Sequence, residues 1–341
     1  MWPPMDPSAA LERIVYLLDR DLAPQPKVKA FARAREIVDQ LGPDRLAEIH
    51  RRGALQELPG IGESTGRAIS EALAGKTPAY LEKLEETTSI PAGEGAEIRA
   101  ALQGDCHTHS HWSDGGAPIE AMARAAMALG HRYLVMTDHS PRLTVAHGLS
   151  PERLREQLRE VAELNEDLAP FRILTGMEVD ILEDGALDMD DELLADLDVV
   201  VASVHSKLSM ERDWMTKRMV MAMASPHTDI LGHCTGRKVV GRGRPQSKFD
   251  ADMVFAACAR FDKAVEINCR PERQDPPEDL LELALEYGCK VAIDTDAHAP
   301  GQLEWQPYGC DKAARLDIST DDIVNTWAAD DLVTWASSHA A

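Results

Sequence analysis

The chain has few aromatic residues, few cysteines, no long apolar run and a shortage of basic residues. Aromatic residues make up 5% of its 341 residues, and its longest apolar runs have the length of a strand, which argues against a transmembrane helix. Lysine and arginine number 36 against 58 aspartates and glutamates, so the net charge is −22. Proteins that coat nucleic acid are normally basic, so this acidity argues against broad nucleic-acid affinity and leaves room only for a local basic patch.

The cysteines and the N-terminus favour a cytoplasmic protein. The six cysteines are scattered without the spacing of a disulfide framework, which predicts reduced thiols. The first residues lack the basic start and apolar core of a signal peptide. Cys106 and Cys234 each adjoin a histidine, so metal binding by either thiol is an alternative to a purely structural role. The length and the 44% hydrophobic content predict a folded chain with one large and one small domain.

The first hundred residues predict a small helical domain. Apolar residues at helical spacing predict helices over Leu11–Leu18 and Val28–Leu41, and a shorter helix over Asp44–His50. The stretch Leu58–Gly62 follows, and its glycines permit a tight turn before another helix.

Backbone N–H groups of such a turn can hold a phosphate without reading bases. The predicted contacts to a DNA backbone are Gly60, Gly62 and Arg67. The alternative is a hairpin that serves only packing or a protein contact, and the acidic neighbours Glu57 and Glu63 favour that alternative.

From Gly104 onward, short apolar runs alternate with helical patterns. An opening strand near Gly104 precedes six further predicted strands, at Tyr133–Thr137, Arg172–Gly176, Val199–Val204, Asp229–Leu231, Ala264–Asn268 and Lys290–Asp294. The predicted helices include Ile119–Leu129, Pro151–Leu168, Ala251–Arg260 and Glu278–Tyr287. Repeated alternation of strands and helices predicts an α/β barrel.

Histidines and carboxylates follow nearly every predicted strand. In an extended opening segment, the spacing of His107 and His109 places both imidazoles on one face, and the glycine-rich turn lets Asp114 fold back towards them. The other polar residues at strand ends are Asp138, His139, Glu178, His205, His233, Asn268, Asp296 and His298. Active sites of α/β barrels gather at the carboxyl ends of the strands, and imidazoles with carboxylates suit divalent transition metals. We therefore predict a shared metal site.

These residues resemble the PHP (polymerase and histidinol phosphatase) family, and most closely the C-terminal PHP domain of bacterial family X DNA polymerases. The resemblance rests on Met177–Gly185, Val200–Ser206, Ile230–Arg237, Val265–Asn268 and Asp294–His298. The N-terminal region is similar to the helix-hairpin-helix domain of the same polymerases. The resemblance implies a helix-hairpin-helix domain over 1–86, a linker over 87–103 and a distorted (β/α)7 PHP barrel over 104–341.

The resemblance also implies three divalent ions, with zinc, manganese and iron all suited to these ligands. The implied ligands of the first ion are His107, His109, Glu178 and Asp296. Glu178 would bridge to a second ion, held also by His205 and His233, and the third would be held by Asp114, His139 and His298.

Two departures from the polymerases limit the expected activities. No nucleotidyltransferase palm lies between the two parts, so we expect no polymerase activity. Ala68 stands where relatives with deoxyribose-phosphate lyase activity carry a Schiff-base lysine, so we expect no lyase activity.

Clustered ions supply a nucleophile and neutralise charge in phosphate-ester hydrolysis. We expect Glu178 to be essential and Asp138 to orient an imidazole, with a proton-acceptor role as the alternative. Three arginines of a basic, glycine-rich loop are candidates for binding the substrate phosphate, namely Arg237, Arg242 and Arg244, and Arg270 and Arg273 are further candidates.

The leading hypothesis is a phosphoesterase acting on DNA ends, as a 3′–5′ exonuclease or a 3′-phosphatase. The first alternative is a small-molecule phosphatase of the histidinol-phosphatase type, which the acidity favours. The second is a DNA-binding or scaffold module with an inactive barrel, which the full set of ligands argues against.

Overall fold

A computed structural model describes residues 6–90 and 93–340. The predicted domains and linker also include residues 1–5, 91, 92 and 341, which lie outside the described residues. The chain divides between residues 90 and 91 into two compact units. Within the two described ranges, every helix is too short or too polar to span a lipid bilayer.

The first unit is helical, as its apolar spacing predicts. Its helices are α1 (Pro7–Arg20), α2 (Gln25–Arg51), α3 (Glu63–Leu73) and α4 (Ala79–Thr87). The backbone of α2 leaves helical geometry at Gly42, whose φ is 70°, and Pro43 follows. Proline lacks the N–H that a continuous helix needs, so α2 consists of two segments that correspond to the two predicted helices.

A tight turn joins α2 to α3. The short 3-10 helix Leu55–Glu57 precedes Gly60, whose φ is 100°. A Cβ on Gly60 would lie 2.9 Å from Ile37 Cδ1, so both the backbone angle and the packing require glycine. Gly62 N–H donates to Thr65 Oγ1 at 2.9 Å and starts α3.

The second unit is a parallel α/β structure. Its helices are α5 (Ala96–Ala101), α6 (Ile119–Ala128), α7 (Pro151–Leu168), α8 (Asp191–Leu194), α9 (Arg212–Met223), α10 (Ala251–Arg260), α11 (Glu278–Glu286), α12 (Gln306–Arg315) and α13 (Ala329–Ser337). Its strands are β1 (Tyr133–Met136), β2 (Arg172–Asp180), β3 (Val199–Ser203), β4 (Ile230–Leu231), β5 (Ala264–Asn268) and β6 (Val291–Asp294). The strands pair in chain order, all parallel, with a helix between each strand and the next.

The structure confirms the six later predicted strands. The prediction of a regular opening strand is wrong, because the segment near Gly104 does not form one. Thr108 forms only single parallel bridges, to Met136 of β1 and to Ala297 just beyond β6. Side chains replace much of the strand ladder here, since Cys106 N–H donates to Asp294 Oδ1 and Thr108 N–H donates to Thr137 Oγ1. The segment nevertheless lies between the two edge strands, as the first strand of a seven-stranded barrel would.

Part of the range predicted as linker is ordered within the second unit. Helix α5 lies inside 87–103 and packs against α12. Gly95 N–H donates to Asp311 Oδ1 at 2.9 Å, and a Cβ on Gly95 would lie 2.2 Å from the carbonyl carbon of Cys310. Gly95 is therefore required by a close approach of two backbones within the second unit.

Candidate metal centre

The predicted ligands converge at the carboxyl end of the parallel sheet. Glu178 lies within β2, His139 follows β1, and His205 and His233 follow β3 and β4. The strands themselves are buried and apolar, so the polar side chains concentrate where each strand ends. The convergence that the sequence predicts is therefore present.

Glu178 is at the centre of one group of imidazoles. Its Oε2 lies 2.8 Å from His139 Nδ1 and 3.3 Å from His107 Nε2. Its Oε1 lies 2.9 Å from His233 Nε2 and 3.1 Å from His205 Nε2. The carboxylate side chain is 1% exposed, so these contacts form away from bulk water.

Asp114 and Asp296 contact the remaining imidazoles. Asp114 Oδ1 lies 3.3 Å from His298 Nε2 and 3.5 Å from His139 Nε2. Asp296 Oδ1 lies 3.4 Å from His109 Nε2 and 3.5 Å from His298 Nδ1. His139 thus stands between Asp114 and Glu178, and it links the two parts of the cluster.

Three overlapping groups each present ligand atoms that all lie within 4.8 Å of one another. The groups are His109, Asp114, His139 and His298; His107, His109 and Glu178; and His139, Glu178 and His205. Across the described part of the chain, the groups contain no cysteine, so Cys106 and Cys234 lie outside them. The division of ligands among individual ions stays a prediction.

Buried polar atoms without hydrogen-bond partners show that the side chains fit divalent cations. Among the described residues these atoms include His107 Nε2, both ring nitrogens of His109 and of His205, His139 Nδ1, His233 Nδ1 and Glu178 Oε2. Unpaired buried polar atoms are costly, and their concentration in one cluster of imidazoles and a carboxylate is typical of metal ligation.

The carboxylates of the centre are anionic. Burial alone would raise the pKa of Glu178, but the neighbouring imidazoles of His205 and His107 outweigh burial and hold that pKa well below its usual range. Burial also opposes ionisation of Asp296, and the Arg270 guanidinium beside it holds the pKa of Asp296 well below its usual range. Both groups are therefore suited to bind cations.

Glu266 supports two ligands, and the sequence analysis missed it. His107 Nδ1 lies 2.6 Å from Glu266 Oε1, and Glu266 Oε2 accepts a hydrogen bond from the backbone N–H of His233. Asn268 Nδ2 donates to Glu266 Oε2 and to Asp296 Oδ2, both at 3.2 Å. The available signal was a charged residue in the middle of an otherwise apolar, fully buried strand.

Asp138 is buried, but its hydrogen bonds differ from the expected contact with an imidazole. Its carboxylate accepts from Ser110 Oγ at 2.6 Å, from Ser113 Oγ at 2.5 Å and from Gln157 Nε2 at 2.6 Å. Burial raises its pKa, while the bonds from Ser110 and Ser113 oppose that rise. In this structure Asp138 fixes the loop between His109 and Asp114. Its expected roles in orienting an imidazole or accepting a proton stay predictions.

The arginine candidates divide into two kinds. Arg270 Nη1 lies 2.9 Å from His298 Nδ1, and Arg273 Nε lies 3.3 Å from Asp296 Oδ2. Arg237 Nε donates to the carbonyl of Arg273 at 3.1 Å, and Arg244 Nε donates to the carbonyl of Gly236 at 2.6 Å. Arg242 is exposed. The structure thus brings Arg270 and Arg273 against the ligands, and places the three predicted arginines on the adjoining loop.

Sequence relatives agree with this chemistry. Residues 105–270 match the PHP domain family. A probable phosphatase of Thermoanaerobacter sp. (strain X514) is 32% identical over 234 residues, which cover 65% of this chain and 89% of that protein. The chain belongs to the PHP family. Together with the buried cluster of ligands, this membership makes the chain a metal-dependent phosphoesterase.

Two further similarities extend the comparison. The DNA polymerase/3′-5′ exonuclease PolX of Bacillus subtilis (strain 168) is 39% identical to this PHP chain over 231 residues, which cover 68% of this chain. The chain spans only 40% of that relative's length. A crystal structure of histidinol phosphate phosphatase from Lactococcus lactis, complexed with zinc, L-histidinol and phosphate, superposes with a TM-score of 0.43 at 18% identity, and covers 62% of this chain and 94% of its own.

Proposed function

We propose that this PHP chain hydrolyses phosphate esters at the ends of DNA, as a 3′–5′ exonuclease or a 3′-phosphatase. The observation that carries the proposal is the 39% identity over 231 residues with the Bacillus subtilis polymerase and exonuclease. The match to the PHP domain family over residues 105–270 includes Glu178 at the centre of the ligand cluster and Glu266, which supports His107.

The proposed centre holds three divalent ions, which are zinc, manganese or iron. Bound ions of this kind lower the pKa of a bound water and neutralise charge on phosphate oxygens. Glu178 contacts imidazoles through both carboxylate oxygens, which suits it to join two ion positions. Glu266 fixes the ring of His107, and Arg270 and Arg273 add positive charge beside Asp296. The protein thereby orients the ligands and offers cations to a phosphate.

The proposal includes DNA-backbone contact through the turn of the first unit. Gly60 has the positive φ of a tight turn, and Gly62 precedes the first residue of α3. Arg67 is exposed on α3, and among the described residues its ion pair is with the exposed Glu63, at 3.0 Å. These features support a sequence-independent phosphate contact at a helix N-terminus.

A second candidate function is the hydrolysis of small phosphate esters. The net charge of −22 favours this candidate, because it repels an extended polyanion over most of the surface. The similarity to a probable phosphatase over 89% of that protein's length also favours it.

One activity profile separates the two functions. Protein reconstituted with manganese or zinc is assayed side by side on 3′-labelled single strands, on 3′-phosphorylated strands and on a panel of sugar phosphates, histidinol phosphate and nucleotides. We expect shortening or dephosphorylation of the strands with a higher kcat/KM than any small ester shows. Rapid turnover of a small ester with no change in either strand would reject the DNA-end proposal. Polymerase and lyase assays on the same preparation are expected to be negative.

A further inference from the structure

Two basic loops of the second unit form one surface beside the metal centre. The first loop, residues 236–244, follows β4, and the second, residues 270–275, follows β5. Val239 N–H donates to the carbonyl of Glu272 at 2.7 Å, and Arg237 Nε donates to the carbonyl of Arg273 at 3.1 Å. The loops are therefore held together by one main-chain hydrogen bond and one bond from an arginine side chain to the main chain. We call this surface the cationic ledge.

The first loop is a small hairpin with a defined geometry. Lys238 N–H donates to the carbonyl of Arg244, and Arg244 N–H donates to the carbonyl of Lys238, both at 2.9 Å. Gly241 and Gly243 have φ values of 68° and 66°, which permit the reversal of the chain between them. The backbones of Lys238 and Arg244 consequently lie directly opposite each other.

The ledge concentrates positive charge in a strongly acidic protein. Its basic residues are Arg237, Lys238, Arg242, Arg244, Arg270 and Arg273. Both acidic residues of the ledge already have partners. Glu272 pairs with Arg270 at 3.1 Å, and the buried Asp275 accepts a hydrogen bond from Thr235 Oγ1, just before the first loop, at 2.6 Å. A net excess of cations at one place, in a chain of net charge −22, creates a local field that attracts anions.

The ledge is continuous with the metal centre at one end and exposed at the other. Arg273 contacts Asp296 at 3.3 Å, whereas Lys238 and Arg242 are exposed. Burial and the nearby positive charge of Arg273 lower the pKa of Lys238. A single phosphate at the ions can meet Arg270 or Arg273, but it leaves the exposed cations of the hairpin without an anion.

We propose that the cationic ledge binds the non-scissile phosphates of a polynucleotide strand whose 3′ end lies at the metal centre. The proposal rests on the proposed function and names the part of the substrate that this surface recognises. The cations extend from the metal centre to the exposed hairpin. We therefore infer that they bind the part of the same strand that extends away from its 3′ end. Phosphates regularly spaced along a flexible strand provide one anion for each successive cation.

Binding of an uncleavable strand tests the ledge without requiring turnover. The probe is a short, 5′-fluorescein-labelled oligothymidylate whose last linkage is a methylphosphonate, which is uncharged and resists hydrolysis. Its Kd for the metal-loaded full chain is measured by fluorescence anisotropy over a series of KCl concentrations. The variant is Lys238→Gln, and the matched control is Lys217→Gln, which removes the same charge from an exposed position on α9.

We expect Lys238→Gln to weaken binding roughly 1.5- to 5-fold, the range of one exposed charge contact. Loss of one phosphate contact on a single strand also lowers the slope of log Kd against log salt concentration by about 0.7. The control is expected to match wild type in both quantities. Unchanged Kd and slope in Lys238→Gln would overturn the proposal, as would equal displacement of the probe by polyglutamate, which would indicate an acidic protein partner.

A parallel assay separates the ledge from the proposed function. The kcat/KM ratio of a 3′-labelled strand to p-nitrophenyl phosphate is expected to fall in Lys238→Gln and to stay constant in the control. Strand shortening with an unchanged ratio and an unchanged salt slope rejects the ledge and keeps DNA-end hydrolysis. A salt slope that depends on Lys238, without shortening of the 3′-labelled strand or loss of the phosphate from a 3′-phosphorylated strand, supports strand binding and rejects the hydrolytic proposal.

Discussion

The two units differ in how their candidate sites are built. In the first unit, the turn at Gly60–Gly62 depends on a few residues that are close in sequence, and its one charged candidate, Arg67, is exposed. In the second unit, Glu178 is buried within β2, and its imidazoles come from the segment before β1 and from the loops after three other strands. A local, exposed site can lose one side chain with little effect, whereas a buried cluster of charges depends on every member. The following predictions test this difference, beginning with the largest effect.

Replacing the central carboxylate is expected to have the largest effect. Glu178→Ala removes contacts to four imidazoles and is expected to reduce kcat/KM on any ester by at least about a thousandfold, or about 4 kcal/mol. Steady-state kinetics with metal analysis of the purified protein measures the loss. The control is Glu183→Ala, at an exposed position just after β2, which should retain wild-type activity and metal content. Substantial activity in Glu178→Ala would contradict a centre organised by this residue.

The second-largest effect is expected at Glu266, which supports the predicted metal ligand His107. Glu266→Gln keeps the shape of the side chain but removes the anion beside His107 Nδ1, so metal affinity is expected to fall about 10- to 100-fold. Competition with a fluorescent chelator measures this affinity directly. Glu282→Gln on the exposed face of α11 is the matched control. Equal affinities in the two variants would show that Glu266 has only a packing role.

Substitutions at glycines of the first unit are expected to lower the free energy of unfolding. In Gly60→Ala the new Cβ meets Ile37 Cδ1 at 2.9 Å and the backbone keeps a φ of 100°. In Gly53→Ala the φ is 67° and nothing lies within 4 Å of the new Cβ. We expect losses of about 2–3 kcal/mol for Gly60→Ala and about 1 kcal/mol for Gly53→Ala, measured by calorimetry. Equal losses would mean that the close packing around Gly60 adds no constraint.

The smallest effect is expected at the exposed arginine. Arg67→Gln removes one cation whose ion pair, within the described part of the chain, is with an exposed glutamate, so stability should stay within about 0.5 kcal/mol of wild type. If the turn contacts a DNA backbone, duplex affinity falls roughly 2- to 5-fold with a shallower salt dependence. Arg51→Gln, at the exposed end of α2, is the control for charge. A change of the same size in both variants would argue against a specific contact at the turn.

Sequence patterns predicted the positions of the ligands better than the bonds that hold them. Short apolar runs ending in His or Asp are local signals, and they located Glu178 and His233 at the ends of buried strands. The opening strand failed as a prediction because Asp294 and Thr137 bond its backbone from distant parts of the chain.

Supporting contacts were harder to predict for the same reason. Glu266 contacts His107, which lies 159 positions away in the sequence. The local spacing of apolar and polar residues cannot indicate such a contact. Asp138 adjoins His139 in sequence but bonds Ser110, Ser113 and Gln157 instead. Adjacent residues of an extended chain point in opposite directions, so proximity in sequence was a poor guide to the partner of this carboxylate.

The segment around Thr108 determines when the centre can assemble during folding. Cys106, next to the first ligand histidine, is tied to Asp294, 188 positions later in the chain. Contacts of such long range form late and slowly, since the intervening chain must first be ordered. A growing polypeptide that ends before β6 therefore lacks the anchor that positions His107 and His109. The full ligand cluster can form only after β6 and the ligand candidate His298 beyond it have been synthesised.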